Sequence, residues 1–386
     1  MKLTTNNECN RGSSTSPSDS SIEAEGVFED GTLRSQLRAS LAINAPFLIV
    51  AVLYVVTATG VFIYSGLALP APGAYLSHLI LYLAAAIFFL GPLLLSRLLV
   101  ERPERPFSFL REMARRWRLY DRFILALPAV LALIIFWPSF SAFKSAIPAF
   151  QAFAFDPIFI RWDEAIHGQD AWRLIHPIVG YPIVSFILNG VYHVWLMLLY
   201  IGMLPVLGWI EQRAIRMQFL IATLLCWVLL GTIGAILTSS VGPCFYEFFY
   251  GDDRFRPLMN YLSQADRVYP LMALDVQESL LAWAAEGGNG VGRGISAMPS
   301  MHLSIACLFA ILGWRVSKAW GIAGTIFLIL ILVGSVHLGY HYAIDGYAAI
   351  VATMGIWWLS GLILSRFAMP MHATVKPSTS RCSANS

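Results

Sequence analysis

The sequence predicts an all-α, polytopic membrane protein with about eight transmembrane helices. Of its 386 residues, 57% are hydrophobic and only 13% are charged, and the apolar residues form long uninterrupted runs. A soluble domain needs more polar surface than this composition supplies. A helix that crosses ~30 Å of hydrocarbon needs roughly 20 apolar residues, and eight runs approach or exceed this length. Most of the chain is therefore expected to lie in lipid.

Four regions are predicted along the chain. Residues 1–34 are rich in Ser, Asn, Thr and Glu and are expected to form a disordered cytoplasmic tail, as is segment 371–386. Region 35–150 contains three predicted spans with an accessory role. Region 151–370 contains the other five, which are expected to form the catalytic membrane domain. The predicted spans are 45–66, 75–100, 123–143, 183–210, 217–239, 297–314, 319–338 and 342–367.

The distribution of basic residues predicts the orientation in the membrane. Eight arginines lie between Arg97 and Arg122, and short cytoplasmic loops carry such an excess. Both termini are then cytoplasmic, and segment 153–181, which mixes aromatic and charged residues, is expected to lie at the outer interface. The predicted outside loops contain no Asn-x-Ser/Thr sequon, which favours a bacterial inner membrane with the site facing the periplasm. A net charge of +3 does not indicate a nucleic-acid partner.

Two short polar segments at the outer face carry the candidate chemistry. His341 and Asp345 are four residues apart, which on a helix places them on one face. The carboxylate would then accept from one ring nitrogen and leave the other free to attack phosphorus. His302 follows a predicted helix start at Pro299 and Ser300, and is a candidate general acid and base. This chemistry requires no metal ion and no cofactor.

These segments resemble the type 2 phosphatidic acid phosphatase superfamily, and within it the inositolphosphorylceramide-synthase-like branch. Residues 298–302 (Met-Pro-Ser-Met-His) are similar to one histidine box of that branch, and residues 341–345 (His-Tyr-Ala-Ile-Asp) to the other. Residues 242–251 and 155–172 resemble two further segments. The resemblance extends over roughly 153–367 and leaves out the first three spans. It implies that His341 is the nucleophile, Asp345 its orienting partner and His302 the acid and base.

The chain departs from the phosphatases of that superfamily in two positions. They have an Arg six residues before the nucleophilic His, where this chain has Ser335, and a Lys in the position of Phe249. Other groups must therefore neutralise the phosphate. The candidates for contact with the phosphate or the substrate are Arg254, Arg256, Arg293, Ser300, Tyr246 and Tyr340.

The resemblance and the departures together predict a lipid phosphotransferase. The expected partners are a lipid phosphate or phospholipid donor and a hydroxyl acceptor, with sphingolipid chemistry implied by the branch. One alternative is a lipid or polyprenyl phosphate phosphatase, in which water is the acceptor. A second is a transporter or lipid-binding protein whose histidines relay protons.

Overall fold

The computed structural model describes residues 32–210, 212–286 and 294–367, and these residues are predominantly helical. Seven stretches are long and apolar enough to cross a membrane, so the predicted all-α polytopic bundle is confirmed. The helices in the first half of the chain are α1 (Leu33–Tyr64), α2 (Pro72–Glu101), α3 (Pro106–Arg116), α4 (Leu119–Phe150), α5 (Asp156–His167), α6 (Ala171–Val179), α7 (Pro182–Tyr200) and α8 (Met203–Gly208).

The second half begins with a helix that changes type along its length. α9 (Arg213–Leu225) continues through the π-helical turns Cys226–Gly234 into α10 (Ala235–Leu237). Wide π turns in an α-helix are frequent at functional sites. The remaining helices are α11 (Pro243–Tyr250), α12 (Arg256–Asp266), α13 (Met272–Glu286), α14 (Met301–Val316), α15 (Lys318–His337) and α16 (Ala343–Phe367).

The sixth predicted span is shorter than the seven long apolar stretches. It corresponds to α14, whose 16 residues extend about 24 Å at 1.5 Å per residue. Ser317 ends α14 and begins α15, so the two helices form a tight antiparallel hairpin. At Gly324 a Cβ atom would lie 2.7 Å from the Cα of Ala310, so this close helix packing requires glycine. The hairpin places His302 and His337 at the same end of the bundle.

The first helix is tied to the later ones by a buried polar network. α1 begins at Leu33, so the last two residues assigned to the N-terminal tail are helical. Arg216 of α9 is buried and donates to Asn44 Oδ1 of α1 at 2.9 Å and to the Leu207 carbonyl at 3.0 Å. The Asn44 amide donates in turn to the Leu125 carbonyl of α4 at 2.9 Å. These contacts fix α1 against both α4 and α9.

Short helices lie between the spans at the end that carries His302 and His341. α5 has 12 residues and α6 has 9, too few to cross a bilayer. Their interfacial position stays a prediction. Together with α11, α12 and α13 they pack around the loop between α15 and α16.

Candidate active site

The candidate nucleophile lies in the loop between α15 and α16. His341 Nδ1 is 3.3 Å from Asp345 Oδ2, and the same oxygen accepts from the Tyr342 backbone N–H at 3.1 Å. Both side chains are buried, with 5% of His341 and none of Asp345 exposed. The spacing predicts a pair within one helix, but α16 begins only at Ala343. The carboxylate of Asp345 therefore reaches back across the first turn of α16 to His341.

The second nitrogen of His341 is not free. Ser300 Oγ lies 3.0 Å from His341 Nε2. Ser300 occupies the N-cap position of α14, as predicted, but its hydroxyl does not cap that helix. An ionised Asp345 only accepts hydrogen bonds, so His341 Nδ1 carries the proton and Nε2 accepts from the Ser300 hydroxyl. The lone pair of Nε2 points at the Ser300 hydroxyl, where a phosphoryl group would have to arrive.

His302 lies in the first turn of α14 and faces His341, with ring centroids 6.1 Å apart. Tyr192 stacks on it at 4.3 Å with an interplanar angle of 16°, and Trp195 lies at 4.1 Å. In the part of the chain that the structure describes, neither ring nitrogen of His302 has a hydrogen-bond partner. Aromatic contact fixes the ring plane and leaves both nitrogens available for proton transfer.

Asp163 of α5 anchors the start of α16. Its Oδ1 accepts from the Ile344 N–H at 3.0 Å and its Oδ2 from the Ala343 N–H at 3.4 Å. A negative side chain is favourable at a helix N-terminus, where the N–H groups lack partners. Burial raises the pKa of Asp163, while the hydrogen bond from Ile344 and the nearby His167 oppose that shift. His167 also contacts Tyr347 OH at 3.0 Å, which adds a second link between α5 and α16.

Asp156, at the start of α5, anchors the other side of the same loop. Its fully buried carboxylate accepts from the backbone N–H groups of Val241 at 2.9 Å and Gly242 at 2.8 Å. It also accepts from the hydroxyls of Tyr250 at 3.1 Å and Tyr342 at 2.9 Å. Burial raises the pKa of Tyr342, and the neighbouring Asp156 charge raises it further, so this phenol stays protonated and donates.

The segment before α11 joins the two histidine segments. The Ser240 carbonyl accepts from the Ala297 N–H at 3.0 Å, and its hydroxyl accepts from the Met298 N–H at 3.1 Å. On the other side, a Cβ atom at Gly242 would lie 2.5 Å from the Tyr340 carbonyl oxygen, and Gly242 has a φ of +86°. Only glycine fits this approach. The segment before α11 therefore positions both the Ser300 segment and the His341 segment.

Arg254 is engaged by carboxylates. Its guanidinium pairs with Glu164 and donates to Asp170 Oδ1 at 2.9 Å. A phosphate would have to displace or share these partners. Arg293, the third predicted arginine, lies outside the described residues.

Arg256 is also paired, with Glu247 at 2.7 Å and Asp253 at 2.9 Å. It borders an open surface pocket of about 460 Å³. The pocket is lined by Asp170, Arg173, Asp253, Arg254, Arg256, Pro257 and Asn260. Two aspartates line the pocket together with three arginines, so the pocket is less suited to an anion than its arginines suggest.

The two predicted tyrosines have different surroundings. Tyr340 stacks on Tyr192 at 5.0 Å and donates its hydroxyl to the Ala273 carbonyl at 3.0 Å. It therefore extends the aromatic wall beside His302. Tyr246 stacks on Tyr250 at 4.7 Å, next to the Asp156 cluster. These contacts of Tyr246 stabilise the loop between α15 and α16 and do not indicate a ligand-binding role.

Several residues of the site were not predicted. The anchoring roles of Asp156 and Asp163 follow from contacts between α5 and segments 85 or more positions later. A local signal existed only for Asp156, which precedes Pro157 at a helix start within the predicted interfacial segment. The ring of Trp195 is another unpredicted contact, since an aromatic residue in an apolar span gives no sequence signal. No cluster of three or more His, Cys, Asp or Glu side chains suited to a metal ion occurs within ranges 32–210, 212–286 and 294–367.

The sequence model of the PAP2 superfamily matches residues 157–359, more than half of the chain. The match begins within α5, ends within α16 and includes His302, His341 and Asp345. No curated protein and no solved structure matches the chain.

Proposed function

Because the chain belongs to the PAP2 superfamily, we propose that it transfers a phosphorylated head group from a lipid donor to a hydroxyl acceptor, as inositolphosphorylceramide synthases do. Superfamily membership indicates phosphatase or phosphotransferase activity on phosphorylated substrates. The observation that carries the proposal is the pairing of a carboxylate-oriented His341 with a second histidine, His302, whose ring centroid lies 6.1 Å away.

In the first half-reaction, His341 Nε2 attacks the phosphorus of the donor. A P–N bond forms and the P–O bond to the donor lipid breaks. Protonated His302 gives its proton to the departing alkoxide, which leaves as a neutral alcohol. Asp345 stabilises the positive charge that develops on His341. The Ser300 hydroxyl, released from Nε2, can donate to a phosphoryl oxygen.

In the second half-reaction, the acceptor hydroxyl gives its proton to His302. Its oxygen attacks phosphorus, the P–O bond forms, and the P–N bond to His341 breaks. The product is a new phosphodiester when the donor carries a head group, and both histidines return to their starting protonation states. His302 has both ring nitrogens available for these two opposite proton transfers.

Burial of the site favours transfer over hydrolysis. Only 5% of His341 is exposed and Asp345 is fully buried, and excluding water protects a phosphohistidine from hydrolysis. Where the superfamily's phosphatases have an Arg, the carbonyl of Ser335 accepts from the His341 N–H at 3.2 Å. This position supports the loop through its backbone. A lipid phosphate phosphatase using the same residues is the second candidate.

We place the site at the outer face of the membrane. The arginine-rich segment 97–122 lies at the opposite end of α4 from the loop to α5, and positive-inside sorting assigns that segment to the cytoplasm. In a bacterial inner membrane the reaction would then face the periplasm.

The proposal is tested with purified protein in detergent, a labelled phospholipid and a mixed pool of lipid and small-molecule hydroxyl acceptors. The wild type should form a phosphodiester that His341→Ala does not form. His78→Ala is the matched control, because His78 is an equally buried histidine of α2 that contacts Tyr200 instead of the site. Free phosphate or phosphorylated head group without a transfer product would establish the hydrolase. Equal products from wild type and His341→Ala would refute a phosphohistidine mechanism.

A further inference from the structure

The proposed reaction develops negative charge on the phosphoryl oxygens, and an oriented cation is the usual means of stabilising it. Ser335 and Phe249 occupy the positions where the superfamily's phosphatases carry their cations. Arg254 and Arg256 are already paired with carboxylates. None of these four positions therefore offers an unpaired cation for the phosphate.

One face of α4 and the start of α14 both approach Gly231. Phe140 contacts Trp227 edge to face, with ring centroids 4.5 Å apart, and Trp227 lies 6.2 Å from Trp195, which contacts His302. A Cβ atom at Gly231 would lie 2.9 Å from the Phe140 ring and 3.1 Å from Met301 Sδ. Phe140 and the residue before His302 therefore meet around one glycine.

Lys144 lies one helical turn beyond Phe140 on the same face of α4. Residues four apart are stacked about 6 Å apart along a helix. Along α4, Lys144 therefore lies beyond the level of Met301, nearer the end of the bundle where the His302 and His341 rings lie. Lys144 is partly buried and close enough to His302 for its charge to act on that ring.

A backbone contact fixes Lys144 against the segment that leads to Ser300. A Cβ atom at Gly294 would lie 2.6 Å from the Lys144 carbonyl oxygen. Gly294 has a φ of +89°, a conformation that favours glycine. Segment 294–300 therefore begins directly on α4 and ends at the serine that contacts His341.

Lys144 has no carboxylate partner among residues 32–210, 212–286 and 294–367. An ionisable residue inside a membrane helix is costly, and such residues usually serve a function. Around His302, two further donors are buried without a hydrogen-bond partner, Tyr192 OH and Trp195 Nε1, with 4% and 8% of these side chains exposed. Ser145 Oγ, next to Lys144, is a third. A charged donor and neutral donors without acceptors are the complement of an anion.

We propose that Lys144 binds the non-bridging phosphoryl oxygens of the substrate and supplies the positive charge that Ser335 and Phe249 do not. The inference rests on the proposed phosphoryl transfer at His341. Lys144 lies outside the matched residues 157–359, so α4 would contribute to the site and not serve only as an accessory span. The ammonium group donates hydrogen bonds and takes no part in bond making or breaking.

The test measures binding of inorganic phosphate to full-length protein in detergent by calorimetry, with a short-chain, water-soluble phosphatidic acid as a second probe. The variants are Lys144→Met, Lys144→Gln and Lys144→Arg. Lys318→Met is the matched control, because Lys318 is exposed at the opposite end of α15. Loss of a charge-assisted hydrogen bond should weaken binding of both probes about tenfold to a hundredfold in the Met and Gln variants. Lys144→Arg should bind within about threefold of wild type, since it keeps the charge.

Four outcomes would overturn the assignment, and three of them concern both probes. These are wild-type affinity in folded Lys144→Met or Lys144→Gln, an equal loss in Lys318→Met, and failure of the wild type to bind either probe. A loss confined to the lipid probe would place Lys144 against the lipid instead of the phosphate, and would also overturn it. Turnover by His341→Ala is measured separately. If that variant stays active, the phosphohistidine mechanism fails, while the affinities still decide the role of Lys144.

Discussion

His341 and His302 face each other across the site but are fixed by different contacts. His341 has a partner on each ring nitrogen, Asp345 at 3.3 Å and Ser300 at 3.0 Å, and its backbone N–H donates to Ser335. His302 is held by two aromatic rings at 4.1 and 4.3 Å. Hydrogen bonds fix one protonation state and one direction of attack, whereas stacking fixes only the plane of the ring.

This difference matches the two proposed tasks. A nucleophile must present one lone pair to phosphorus within a few tenths of an ångström. A proton carrier must change its charge twice in each cycle, and a permanent carboxylate partner would hold it in one state. The aromatic contacts of His302 let the imidazole change its protonation without breaking a hydrogen bond.

The largest predicted effect separates these two roles. His341→Ala should lower transfer by about 10⁴-fold or more, because no other group can accept the phosphoryl. His302→Ala should lower it by about 10²- to 10⁴-fold with a natural lipid donor. With a nitrophenyl phosphodiester, whose leaving group needs no proton, His302→Ala should recover a single turnover and His341→Ala should not. Nitrophenol release measured by rapid mixing distinguishes them, and recovery by both variants would contradict the assigned roles.

The second prediction concerns the carboxylate under the His341 loop. Asp156→Ala leaves the N–H groups of Val241 and Gly242 buried without a partner, and should lower the free energy of unfolding by about 3 kcal/mol or more. Tyr342→Phe removes only one donor from the same carboxylate and should cost about 1 kcal/mol. Equilibrium unfolding in detergent gives both values. Equal losses in the two variants would show that Asp156 does not organise the loop.

The third prediction concerns the aromatic contacts of His302. Trp195→Ala removes one of the two aromatic rings that contact His302 and should lower turnover about tenfold, the value of one aromatic contact. Trp195→Phe keeps a ring and should remain within about threefold of wild type. Initial rates are compared at saturating donor, with His341→Ala as the inactive reference. An unchanged rate in Trp195→Ala would show that the Tyr192 stack alone positions His302.

The fold and the two histidine segments could be predicted from the sequence, but the exact position of the His341 and Asp345 pair could not. The membrane bundle followed from composition and from runs of apolar residues, and the PAP2 family from two short boxes. The His341 and Asp345 pair was predicted from spacing, yet its position before α16 was not, because a four-residue spacing also fits a turn closing onto a helix N-terminus.

Contacts between segments far apart in the chain could not be predicted from the sequence. Asp163 reaches the N–H of Ala343 across 180 positions, and nothing near either residue indicates that pairing. The same holds for Lys144, which lies in a span with no match to the family. Residues that complete the site from other helices are visible only after the helices are packed.

The smallest predicted effect tests whether the surface arginines contribute to the site formed by His341 and His302. Arg256 is half exposed and paired with Glu247 and Asp253, so Arg256→Gln should leave transfer within about twofold of wild type. Lys144→Gln, which removes the proposed phosphate ligand, should have a far larger effect in the same assay. Initial rates over a range of donor concentrations provide the comparison. A tenfold rise in KM for Arg256→Gln would instead place the donor's head group in the pocket between Arg173 and Asn260.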